Sequence, residues 1–194
     1  MNFAYFVYIV LSSAAFGMLY LFVRLYMKLT GRFRQGFAER MGRYRPEKLS
    51  AVCGRTSRIW IHAVSVGEVG VALSIIDALK SRMPRCAVIL STTTAQGKAV
   101  AEEKARSADV CVYAPVDFIR CVRRALAAFR PDILVCLETE IWPNWIVQAR
   151  RRGVRIALVN GRISSRSIRR YLKIRPLIHY VLAHIDGFSM ISQA

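Results

Sequence analysis

Residues 3–23 form an apolar run without a charged side chain, rich in Phe, Tyr, Val, Ile and Leu. At about 1.5 Å per residue this predicts a helix about 31 Å long, enough to cross a bilayer core of about 30 Å. Apolar and basic positions then mix as far as residue 57, and from residue 58 the pattern changes again. Short β-rich runs at 59–64, 87–91, 110–113, 133–137, 155–159 and 187–191 alternate with helical stretches at 68–82, 95–106, 118–129, 143–152 and 168–184. Buried parallel strands are short and apolar in this way, and the alternation predicts a doubly wound, Rossmann-like α/β sheet of six strands and five crossovers. The chain therefore divides into a transmembrane anchor (1–24), a basic interfacial linker (25–57) and a Rossmann-like domain (58–194).

Charge sharpens the membrane reading. Lys and Arg number 30 against 12 Asp and Glu, a formal net charge of +18, which favours phosphate-bearing partners. A hydrophobic content of 54% excludes a basic disordered tail. Recognition motifs and aromatics interleaved with the basic residues are not evident, so anionic lipid is expected and nucleic acid is not. The basic residues Arg24, Lys28, Arg32, Arg34, Arg40, Arg43 and Arg45 follow the apolar run, whereas a cleaved leader carries them before it. The positive-inside bias then places the N-terminus outside and the rest in the cytoplasm, as a single-pass protein of the inner (plasma) membrane. Residues 25–45 read as an interfacial segment, with Phe33 and Phe37 among headgroups, or as a plain solvated linker. The cysteines, Cys53, Cys86, Cys111, Cys121 and Cys136, are odd in number and lie mostly in apolar runs; they read as small hydrophobes in a reducing compartment. His62, His179 and His184 are dispersed, and no structural metal is expected.

In doubly wound sheets ligands bind beyond the carboxyl ends of the strands. There this sequence places Ser65-Val66-Gly67-Glu68, then Thr92-Thr93-Thr94, Pro115 and Asp117, Glu138-Thr139-Glu140, and finally Asn160, Gly161, Arg162, Ser164 and Ser165. Neither GxGxxG nor GxxxxGK[ST] follows the first strand, so dinucleotide and P-loop readings lack their defining loop. Glu68 reads two ways: as a general base at a strand-to-helix turn, or as the partner of Ser65 in a capping box. Gly67 suits close approach of a substrate to the backbone. Thr92 and Thr93 suit ligand hydroxyls or ordinary helix caps, as Thr94 does. Glu138 and Glu140 suit sugar hydroxyls, or the acidic approach to a helix opened by Pro143. Arg162 and Arg166 lead a basic run through Arg175 that is either a phosphate site or a solvated helix face.

The strings HAVSVGEV from His62, STTTAQG from Ser91, YAPVD from Tyr113, ETEIWPNW from Glu138 and VNGRISSRS from Val159, with the upstream GFAERMG, together resemble the Kdo transferases of lipopolysaccharide synthesis. The resemblance implies an inverting, membrane-bound glycosyltransferase of the two-Rossmann-domain GT-B type, moving 3-deoxy-D-manno-octulosonic acid (Kdo) from CMP-Kdo to lipid IVA, the lipid A precursor. It implies Glu68 as the catalytic base. It also implies acceptor contacts from Ser65, Gly67, Thr92, Thr93, Glu138, Glu140, Asn160, Arg162, Ser164 and Arg166, with two acceptor phosphates for the arginines. CMP-Kdo is the donor substrate, and no further cofactor is implied. The donor-binding domain is expected to begin near residue 194 and to be absent here, leaving the acceptor half. The alternative is a membrane-tethered module that binds anionic lipid without catalysis.

Overall fold

The computed structural model describes residues 2–30, 36–139, 141–163 and 165–191. Three helices, α1 (Phe3–Thr30), α2 (Phe37–Arg40) and α3 (Pro46–Ser50), precede the alternating part of the chain. That part comprises β1 (Arg58–His62), α4 (Val66–Arg82), β2 (Ala87–Thr92), α5 (Ala95–Lys104), β3 (Val110–Tyr113), α6 (Ile119–Phe129), β4 (Ile133–Leu137) and α7 (Pro143–Arg150). It ends with β5 (Arg155–Gly161), α8 (Ser165–Lys173), α9 (Arg175–Leu182) and β6 (Gly187–Met190). The six strands are parallel and ordered β3-β2-β1-β4-β5-β6, so the winding reverses between β1 and β4.

Alternation along β1 builds the two apolar layers. Ile59 and Ile61 face Val69, Ile76 and Leu90 beneath α4 and α5, while Trp60 faces Phe129, Trp145 and Leu158 on the opposite side. Trp60 meets the Phe129 and Trp145 rings edge-on at 5.1 and 5.2 Å. Four of the five cysteines are buried or partly buried, and Cys53 is exposed.

Two expectations change. The stretch 168–184 is two helices, broken at Ile174, because the Pro176 ring removes an N–H and clashes with the preceding turn. Residues 36–53 are part of the folded domain and not a solvated linker. The Glu39 carboxylate accepts the Tyr113 N–H at 2.7 Å, Val116 N–H donates to the Arg40 carbonyl at 2.9 Å, and Val52 is buried. Gly42, at φ +74°, allows this approach, since a Cβ there would collide with the Cys121 carbonyl.

Helix α1 continues past the expected boundary at residue 24 to Thr30, and its first part is docked. Tyr5 is fully buried, its ring 5.5 Å from that of Tyr180, and its hydroxyl donates to Asn144 Oδ1 at 3.0 Å. Tyr8 donates to the Asp117 carboxylate at 2.7 Å, and Phe16 stacks on Phe118 at 4.1 Å.

Candidate functional site

At the turn after β1, Ser65 caps α4, its Oγ accepting the Glu68 N–H at 3.4 Å. Glu68 reciprocates: Oε1 accepts the Ser65 hydroxyl at 3.0 Å and Oε2 the Val64 N–H at 2.8 Å, and the residue is 4% exposed. This is a capping box whose return bond reaches Val64, one residue before the cap. The same two bonds aim the carboxylate, and the N-terminus of α4 favours its negative charge. A Cβ on Gly67 would meet only the Ser65 hydroxyl, at 3.9 Å, so packing within the chain does not demand glycine there.

The three threonines at the end of β2 differ in their surroundings. Thr92 turns inward beside Gly97 and is fully buried, its hydroxyl without a hydrogen-bond partner among the described residues. That corrects its expected place on the rim. Thr94 caps α5, accepting the Gly97 N–H at 3.0 Å. Thr93 is partly exposed as a residue, but its hydroxyl, like that of Thr92, is buried without a hydrogen-bond partner among the described residues, and its carbonyl accepts the Arg40 guanidinium at 2.6 Å. Arg40 also lies 4.4 Å above the centre of the Tyr113 ring. Beside it opens a cavity of about 700 Å³ lined by Phe16, Tyr20, Phe37, Arg40, Ala95 and Tyr113. Helix α1 forms one wall, and α2, the start of α5 and the end of β3 form the other.

The turn after β4 and an irregularity near the end of β5, where the pairing with β6 shifts between Val159 and Gly161, have left-handed backbone. Glu138 has φ 55° and Asn160 φ 60°, conformations that cost a non-glycine residue energy, less so for Asn. Glu138 N–H donates to the Val159 carbonyl at 3.0 Å, and the Thr139 hydroxyl donates to the Arg162 carbonyl, tying the two segments together. The Arg162 side chain is exposed. Glu140 and Ser164 lie outside the described residues, as does the Arg166 side chain. Because β1 and β4 are neighbours at the reversal of winding, Ser65 and Glu68 stand on one lip of the central crevice and Glu138 on the other.

His62 lies at the base of this crevice. It is fully buried, with Nδ1 3.0 Å from Ser91 Oγ and its ring 4.8 Å from that of Trp145. Burial pushes its pKa down to about 4, leaving a neutral core group. Trp145 is likewise core, as its ring contacts show.

The family model described as 3-deoxy-D-manno-octulosonic-acid transferase (Kdo transferase) matches residues 35–194. This chain belongs to the Kdo transferase family. The 3-deoxy-D-manno-octulosonic acid transferase of Haemophilus influenzae is 31% identical over 165 residues, covering 85% of this chain and 38% of that protein. The transferase of Bordetella pertussis is 36% identical over 134 residues, covering 66% and 31% respectively. A bifunctional glycosyltransferase/methyltransferase of Fusobacterium nucleatum is 36% identical over 137 residues, covering 70% and 21%. The chain thus spans about two fifths or less of the length of these relatives.

Two residues of this Kdo transferase chain were passed over as site residues. Arg40 falls outside the strand and helix alternation; its signal was the pair of glycines, Gly36 and Gly42, that bracket the FAER turn at positive φ. Asp117 was placed after β3 but given no role. Its Oδ1 accepts the Trp145 N–H at 2.8 Å and its Oδ2 the Asn144 N–H at 3.1 Å, so Asp117 supplies the cap that α7 lacks locally. Burial raises the Asp117 pKa, opposed by the bonds from Tyr8, Asn144 and Trp145. The acidic start of α7 expected of Glu138 and Glu140 is therefore met from another loop.

Proposed function

We propose that this chain is the acceptor-binding half of an inverting, membrane-bound glycosyltransferase of GT-B architecture that moves Kdo from CMP-Kdo to lipid IVA. The reaction takes place on the cytoplasmic face of the inner membrane. Glu68 takes the proton of the acceptor hydroxyl as that oxygen bonds to the anomeric carbon of Kdo. The bond from that carbon to the CMP phosphate breaks on the opposite side, and the configuration inverts. The second domain binds CMP-Kdo; Ser65, Gly67, Thr93, Glu138 and Asn160 contribute to the acceptor side.

The observation that carries this reading is the apolar cavity of about 700 Å³, which joins the lipophilic helix α1 to the strand-end rim and carries Arg40 at its mouth. An acceptor with acyl chains and phosphates needs that combination, since the chains gain from burial while guanidinium forks bind phosphate oxygens. Arg162, beyond β5, is the second phosphate contact.

The detergent-solubilised chain is titrated with lipid A precursor and then incubated with CMP-Kdo, with the product read by mass spectrometry. Acceptor binding is expected, weakened about tenfold by Arg40→Ala and by Arg162→Ala, as for loss of a charge-assisted hydrogen bond. Unchanged affinity in both variants would overturn the phosphate assignment. A membrane-tethered lipid-binding module without catalysis would bind simple anionic phospholipids equally well and show no preference for the lipid A precursor.

A further inference from the structure

Helix α1 is apolar enough to cross a membrane, with a mean hydropathy of 2.1 over an 18-residue window of which nothing is buried, yet its start is docked on the domain, where Tyr5 is fully buried, and contacts recur along one face. One face of it follows a helical spacing of three and four. Tyr5, Tyr8, Phe16 and Tyr20 meet Tyr180, Asp117, Phe118 and Phe37 in turn. The tyrosine hydroxyls at its start reach buried polar groups: Tyr5 donates to Asn144 and accepts from Gln148 Nε2 at 3.1 Å. Pulling this end into hydrocarbon would leave Asn144, Gln148 and Asp117 short of partners, at several kcal/mol by ordinary desolvation. The docked part, residues 4–20, takes up 17 of the 28 helical residues. Beyond it, Phe3 aside, the ten residues 21–30 extend only about 15 Å against the roughly 30 Å of a bilayer core.

The opposite face is apolar and exposed. Phe6, Val10, Leu11, Met18, Leu21 and Phe22 are exposed along it. Next to it, Phe3, Val7 and Leu11 share an apolar trough of about 800 Å³ with Tyr171 and Ile174 of the α8–α9 corner. Helix α8 adds exposed Ile168 and Leu172 beside Arg169, Arg170 and Lys173. Apolar side chains flanked by cations, in a chain of net charge +18, fit the interface of an anionic leaflet better than a second copy of an equally basic surface.

We propose that α1 attaches the protein to one leaflet by lying along the domain, its outer face in lipid and both its ends on the domain's side, without crossing the bilayer. The apolar trough and α8 extend the same contact. This rests on the membrane-bound reading above and replaces the single crossing expected from residues 1–24. Its consequence is positional: Phe118 and the Asn144 end of α7 lie under α1, so the strand-end rim is held at the membrane surface.

Two measurements on the full chain separate the possibilities. In cells, Asn2→Cys is treated with a membrane-impermeant maleimide, exposed Cys53 serving as the marker of the domain's side. Asn2→Cys is expected to add a labelled site in inverted vesicles and none in intact spheroplasts; added labelling in intact spheroplasts overturns the proposal. In vitro, flotation with phosphatidylglycerol vesicles is expected to fall about tenfold for Leu11→Glu combined with Phe22→Glu, at an unchanged melting temperature. Wild-type protein that does not float instead overturns the membrane reading itself. Floating that is insensitive to the paired substitution, or a lipid-free dimer that the substitution dissociates, overturns the assignment of this face to lipid.

Discussion

The two lips of the central crevice are built in opposite ways. On the β1 side the turn is satisfied: Ser65 and Glu68 cap α4 reciprocally, Thr94 caps α5, and the backbone amides that open both helices find side-chain oxygens. On the β4 side Glu138 is held at φ 55° and α7 begins without a cap from its own turn, borrowing Asp117 from the loop after β3. A rigid lip suits a group whose direction must not vary, which is what a base requires. A strained lip stays put only because the surrounding structure over-determines it, and such positions concentrate at ligand sites. The contrast fits the proposal that the base stands on the β1 side, and it makes the strained β4 side a second place, besides the Arg40 cavity, at which the acceptor would be gripped.

The largest expected effect comes from dissociating the two uses of Glu68. Glu68→Gln keeps the side-chain length and one acceptor oxygen, so the melting temperature should change by the equivalent of about 1 kcal/mol or less. Kdo transfer, measured on a polypeptide containing residues 1–194 and the donor-binding half, should fall about a hundredfold to ten-thousandfold with acceptor binding retained. If transfer falls only as far as stability does, Glu68 is a cap and nothing more.

That ambiguity was legible in the sequence, because SVGE satisfies a capping box and a catalytic turn with the same atoms. Strand positions were legible too, since apolar runs such as ILVCL have few alternatives in a buried parallel sheet. Three things were not. Local pattern cannot show that Asp117 caps a helix that starts 26 residues later, because the bond depends on how two loops meet in space. It cannot show that α1 docks: a stripe of Tyr and Phe at helical spacing is as apolar as a lipid-facing one, and only the buried partners of the Tyr5 and Tyr8 hydroxyls distinguish them. Nor can it show that the hydroxyls of Thr92 and Thr93 are both buried and leave Thr94 to cap α5, since a one-residue shift in where the strand ends would move the cap to a neighbour.

Asp117→Ala tests whether the strained lip depends on its borrowed cap. The substitution removes the acceptor for the Asn144 and Trp145 amides and for the Tyr8 hydroxyl, in a buried place where water does not readily substitute. A loss of about 3–5 kcal/mol is expected in chemical denaturation, with the β4 and α7 amides losing hydrogen-exchange protection before those of β1 and α4. Uniform loss across the sheet would mean that the two lips are mechanically one unit. Asp117→Asn should cost less, because its carbonyl oxygen still accepts one of the bonds.

The smallest effect is the most direct test of the contrast. Glycine adopts φ 55° without the clash that a Cβ brings, so Glu138→Gly removes strain worth about 1–2 kcal/mol. It also frees the unfolded chain, which offsets about 0.4–1 kcal/mol of that gain. The variant should therefore be as stable as the parent or up to about 1.6 kcal/mol more stable, an unusual outcome for losing a side chain. On the proposed acceptor role, affinity for the lipid A precursor should fall at the same time, because the carboxylate is gone. Glu138→Ala sharpens the result: it keeps the strain and loses the carboxylate, so it should match the glycine variant in binding and fall below it in stability. If both variants bind as the parent does, the left-handed turn serves only to join β4 to α7. The acceptor's grip would then have to come from Arg40 and Arg162, on either side of it.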